Sequence, residues 1–138
     1  MNQVSLQCLI LLVTTLLAGC STRDRLSQAP VSGTVTRQGR PVDHGQVVFT
    51  PQEGTAGPQA VGQIHPDGRF RMETAGRTGA AIGKHRVTVH CRREVTPEEA
   101  ARLVVGESLI PDRYWKEAES PLRFEVKEGN NECPLVLE

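Results

Sequence analysis

The chain has 138 residues, enough for one domain, and its 16 Lys and Arg balance its 16 Asp and Glu to a formal charge of zero. A neutral chain without a basic block excludes nucleic acid, whose phosphates demand clustered cations. Thirteen glycines and nine prolines against only five aromatics suit a turn-rich all-β domain.

In chain order, the first feature is the apolar run Cys8–Ala18, 11 residues long. A spanning helix needs about 20. The N-terminal position and the small-residue exit match a secretory signal peptide over 1–19, although Met1–Gln7 lacks Lys and Arg. The exit, Leu17-Ala18-Gly19-Cys20, resembles a bacterial lipobox. In that signal a peptidase cuts before the Cys, whose thiol carries a diacylglycerol. The resemblance implies lipidation of Cys20, a palmitate-type anchor, and a place in the bacterial cell envelope facing periplasm or exterior. The membrane is then a partner through that lipid. Cys20–Pro30 reads as the lipidated residue and a polar tether, and 31–138 as the domain.

Period-2 alternation dominates the rest. Phe70, Met72 and Thr74 alternate with Arg69, Arg71 and Glu73; Val87, Val89 and Cys91 with Arg86, Thr88 and His90; Leu122, Phe124 and Val126 with Arg123, Glu125 and Lys127. Weaker strands fit 31–37, 45–51, 60–65 and 133–138, which makes seven. Pro66-Asp67-Gly68 predicts that 60–65 and 69–74 pair as a hairpin, because Asp-Gly tolerates positive φ. Thr96-Pro97-Glu98-Glu99 writes a capping box with proline at the first helical position and predicts a short helix over 97–105, stopped by Gly106. Seven half-buried strands imply a seven-stranded Ig-like β-sandwich with a short inserted helix. Its expected core centres on Phe49, Ile64, Phe70, Met72, Val87, Val89, Leu122, Phe124, Val126, Leu135 and Leu137.

The stretches VSGTVTRQGRPVDHGQVVFTP and AVGQIHPDGRFRMETAGRTGAAIGKHRVTVHC resemble carboxypeptidase regulatory-like domains, a prealbumin-like (transthyretin-like) sandwich. The segment IPDRYW…SPLRFEVKEGNN resembles the end of the small lipoprotein versions common in planctomycete bacteria. The resemblance covers about 31–138 and implies fold far more than function. It implies no catalytic residues and no cofactor, and a non-catalytic module for structural, adhesion or ligand-binding roles. A related sandwich family hydrolyses hydroxyisourate and ends in Tyr-Arg-Gly-Ser, whereas this chain ends Pro-Leu-Val-Leu-Glu.

Cys91 and Cys133 remain once Cys8 leaves with the signal and Cys20 takes lipid. Both alternate with apolar residues, so both point inward. An exported domain permits a bridge between them, worth about 4 kcal/mol in the chain-entropy account. Two buried thiols that never meet are the other reading. Strand parity puts His85 and His90 on opposite faces, His44 and His65 flank separate turns, no Cys-x-x-Cys occurs, and Asp43, Asp67 and Asp112 are explained by turns, so no metal is expected. Tyr114 and Trp115 read as a contact patch for an envelope protein or glycan, or as a plug over the open end of the sandwich with Ile110. A small transthyretin-like hydrolase would need His44, His85 and Arg86 to converge.

Overall fold

The structure, a computed structural model, describes residues 27–138. The expected signal peptide, the expected lipidation at Cys20 and the expected tether up to residue 26 lie outside the described residues. The chain folds into an all-β sandwich. Its strands in order are β1 (Gln28–Ala29), β2 (Val31–Arg37), β3 (Arg40–Pro41), β4 (Gln46–Pro51), β5 (Ala60–Gln63), β6 (Arg69–Arg71), β7 (Glu73–Thr74), β8 (Arg77–Thr78), β9 (Ala80–Ala81), β10 (Gly83–His90), β11 (Arg123–Val126) and β12 (Asn131–Leu137). Helices α1 (Pro97–Ala101) and α2 (Asp112–Trp115) lie between β10 and β11.

One sheet runs β11-β10-β4-β5-β7-β8. The other runs β12-β2-β3, with β6 also on β2. Val47, Phe49, Val87 and Val89 face Val31, Val35, Leu135 and Leu137 across a core in which each is at most 5% exposed. Six of the seven expected strands form as single strands (β2, β4, β5, β10, β11 and β12), the seventh divides into β6 and β7, and the two-residue strands β1, β3, β8 and β9 lie outside the expected seven. Leu122 and Phe124 are only half-buried, packed on the rim of that core.

Four features depart from expectation. First, Gln28–Ala29 pairs with Ala80–Ala81, and Ala29 is 3% exposed, so folded structure reaches into the segment assigned to the tether. One alanine at the end of a polar stretch carries no periodicity to reveal this. Second, β2 and β12 pair in parallel along seven residues. No local turn could announce a pairing between the two ends of the domain.

Third, the Asp-Gly hairpin forms at its tip, where Gly68 N–H donates to His65 O and His65 N–H to Arg69 O, and again at Val61↔Glu73. Between these points the second strand leaves its partner. Residues 69–71 pair with β2 instead, and Met72 N–H donates to Val31 O at 2.9 Å. This strand is the corner at which the two sheets join, since one edge serves β2 and the other β5.

Fourth, the helix is shorter than expected. Thr96 and Glu99 form the full capping box, but the helix ends at Ala101 with Arg102 as its C-cap. Leu103 N–H donates to Ala100 O and Val104 N–H to Glu99 O, with Leu103 at φ 59°, which is a Schellman ending. Leucine takes the left-handed position usually given to glycine, so Gly106 plays no part in stopping the helix. Gly106 instead lies against Arg93, whose carbonyl oxygen would stand 1.9 Å from an added Cβ.

Candidate functional site

The residues expected to matter lie in three separate places. The corner between β3 and β4 joins the end of β10 through His44. Its Nδ1 lies 2.6 Å from the Asp43 carboxylate and its Nε2 2.8 Å from the Arg92 carbonyl. Both partners can only accept, so the ring satisfies both as an imidazolium. The Arg92 carbonyl first and Asp43 second hold the His44 pKa above its ordinary value. Cys91 Sγ lies 3.6 Å from the same Nε2.

Cys, His and Asp are the members of a thiol triad, but their geometry here is structural. Cys91 is 3% exposed, and burial pushes its thiol pKa up. The ring nitrogen beside the sulfur is already engaged by a carbonyl. A nucleophilic Cys needs a thiolate and a base with a free nitrogen.

His85 sits elsewhere, 1% exposed, inside the core against Phe49 at 5.5 Å between ring centroids. Its Nδ1 is 3.1 Å from Gly83 O, and Nε2 has no partner among the described residues. Burial lowers its pKa, so the ring is neutral. Arg86 points to the opposite face of β10 and donates to Glu117 O. His44, His85 and Arg86 therefore do not converge. No group of three or more His, Cys, Asp or Glu able to hold a metal occurs among the described residues.

Cys91 and Cys133 are both free thiols. The bridge weighed between them is absent, and the register explains it. Leu137 pairs with Arg37, which donates to Leu109 O, while Leu109 N–H donates to Cys91 O. Cys91 thus lies at the Leu137 end of β12, and Cys133 is four residues away, about 13 Å along the strand. Alternation gave both thiols their inward direction but not their height in the core. Burial pushes the Cys133 thiol up to about 12.

Tyr114 and Trp115 on α2 close the open end of the sandwich. Tyr114 is 4% exposed, and its hydroxyl accepts from Glu138 N–H at 3.0 Å. Ile110 is buried beside them in the same core. Trp115 is half-buried, with the Arg92 guanidinium 5.4 Å and the Lys116 ammonium 5.5 Å from its ring centroid. Its π-surface is occupied by the protein's own cations. Of the readings weighed for this pair, the geometry is that of the plug.

A cleft of about 1090 Å³ lies where the corner strand passes between the sheets. Gln59, Gln63 and Glu73 line one wall, and Ser32, Thr34 and Glu132 the other, with Arg69 and Arg71 between them. A smaller cleft of about 500 Å³ continues from it and shares Ser32, Arg71 and Glu132. Two arginines balance two glutamates, and Phe70, the one Phe, Tyr or Trp in the lining, is 2% exposed, beside the exposed imidazole of His65. This surface offers hydrogen bonds and paired charges rather than a stacking platform. Sequence reasoning missed it because its residues are the outward, polar half of each alternating strand, and only the corner brings those faces together.

No helix among the described residues is long and apolar enough to cross a membrane. No family model matches the chain, and no curated protein matches it. Among solved structures the chain is similar to a DUF3823 family protein from Parabacteroides merdae, at 16% identity and a TM-score of 0.45. The match covers 80% of this chain and 45% of that one, so the chain spans less than half the length of that neighbour.

Proposed function

We propose that this chain is an exported, lipid-anchored cell-envelope lipoprotein whose sandwich, of carboxypeptidase regulatory-like type, is a non-catalytic binding module. The observation that carries the reading is Leu17-Ala18-Gly19-Cys20 at the end of an 11-residue apolar run, with the first strand at Gln28. That spacing leaves a domain held close to a bilayer by a short tether, and two or more acyl chains on Cys20 would hold it stably. The polar cleft around Arg71 and Glu73 is the binding surface, suited to an envelope peptide or protein rich in hydrogen-bonding groups. A carbohydrate-binding module built on Trp115 is the weaker reading, because Arg92 and Lys116 already cover that ring. A small hydrolase is weaker still, since its three expected residues stand apart.

Metabolic labelling with a clickable fatty acid tests the anchor. Label should appear on the wild-type chain and vanish from Cys20→Ala; equal labelling of the two would defeat the reading.

A further inference from the structure

The loop after α1 holds apolar side chains in water. Leu103 is 87% exposed, Val105 72%, Val104 42% and Leu109 41%. Nothing about this loop is slack. The Arg93 guanidinium forms two hydrogen bonds with the Glu99 carboxylate, both at 3.1 Å. Arg92 donates to Gly106 O, Arg93 N–H to Glu107 O, and Gly106 has no room for a side chain. Leu103 carries the steric cost of a left-handed backbone while exposing nearly all of its surface. An apolar tip held rigid in this way is preorganised for an apolar surrounding.

We propose that this tip, Leu103 with Val104 and Val105, inserts into the interfacial layer of a lipid bilayer and gives the domain a second point of membrane contact. Three observations favour lipid over a protein. The exposed apolar group is four residues, whereas a stable protein interface uses about 20–30 residues a side. Entry into an apolar medium is eased because the Leu103 and Val104 N–H groups are bonded back to the α1 carbonyls of Ala100 and Glu99, at 3.0 and 2.9 Å. Around it, exposed Arg102, Glu98 and Glu107 carry mixed charge, which suits a zwitterionic headgroup layer.

The proposal rests on the anchor reading for its geometry. Seven peptide steps from Cys20 to Ser27 span at most about 24 Å. Ser27 accepts from Ile82 N–H, beside the start of β10, while the tip lies beyond the end of that eight-residue strand. Strand β10 is about 26 Å long. Lipid at one end and tip at the other therefore lay the domain on its side, with β10 along the bilayer surface.

The test uses the full lipidated chain in vesicles of phosphatidylethanolamine with a minority of phosphatidylglycerol. An environment-sensitive fluorophore is attached through Leu103→Cys, and in a parallel protein through Gln59→Cys on the cleft. Cys91 and Cys133, both buried, should not react in the native protein. The Leu103→Cys label should shift to the blue and be quenched by spin-labelled lipid, and the Gln59→Cys label should do neither. A Leu103→Cys label that stays water-like in vesicles overturns the proposal, as does a blue shift that appears only with native envelope protein present. The same chain begun at Ser21, without the expected signal and Cys20, and incubated with those vesicles, should lose stable attachment yet keep a weaker, lipid-dependent shift at Leu103→Cys. A failed anchor with a surviving shift would thus separate the two readings. Thermal melts of each labelled protein guard against misfolding.

Discussion

His44 and Arg92 are tied by a 2.8 Å hydrogen bond from an imidazole nitrogen to a backbone carbonyl, across 48 residues of chain. That bond, with the Asp43 carboxylate on the other nitrogen, fastens the β3–β4 corner to the point where the chain leaves β10. Its strength depends on a proton.

The pKa of His44 should therefore be shifted opposite to those of His85 and His90. His44 is raised by the Arg92 carbonyl and Asp43, so its contribution is fully present below about 6.5, the value of a free imidazole, and fades as pH rises through its folded pKa. His85 and His90 are lowered, both chiefly by burial, so they stabilise the fold above that value and destabilise it as pH falls. Side-chain NMR titration should place His44 above the free value and His85 below it. In His44→Gln the high-pH fall in stability should disappear and the acid-side fall should remain. A common midpoint for His44 and His85 would contradict both assignments.

Cys91 and Cys133 should count as two alkylatable thiols by mass after unfolding without reductant, and as none in the folded protein over the same interval. Burial raises both thiol pKa values, that of Cys133 to about 12, so thiolate is scarce at neutral pH. A mass showing no free thiol after denaturation would mean that the two sulfurs meet.

Gly33 should tolerate no side chain. A Cβ there would stand 2.0 Å from the Cys133 carbonyl oxygen and 2.8 Å from the Phe70 ring, with β2 and β12 on their parallel register. Gly33→Ala should cost about 3 kcal/mol in urea unfolding through overpacking. A loss too small to resolve would place β12 elsewhere.

Leu103→Gly should do the reverse. It relieves the left-handed backbone at φ 59° and removes a side chain that touches little in water. Stability of the water-exposed protein should rise by about 1 kcal/mol, while a fluorophore at Val105→Cys in the same background should show weaker quenching by spin-labelled lipid. Unchanged stability would mean that the Schellman ending stores no strain.

Much of this molecule was readable because its signals are local. Alternation placed Val87, Val89 and Cys91 on one face, and they are 0%, 0% and 3% exposed, but Thr88 on the opposite face is buried as well, at 4%. The Thr96–Glu99 box formed as its spacing required. The helix length was not readable, because Leu103 takes a conformation that its residue type disfavours and loop contacts enforce.

What the sequence by itself determined is the position of the longer strands, their inward faces, the turn at Asp67-Gly68 and the helix start. Each depends on residues within a few positions of one another, where sterics and hydrogen-bond reach act directly. Tertiary structure alone decided that β12 lies parallel to β2, that residues 69–74 divide between two sheets, and that His44 meets Arg92. It also decided that Cys91 and Cys133 sit at different heights of one core. Those relations join segments tens of residues apart, and the packing of both apolar faces, rather than any local preference, selects among the pairings the strands could make.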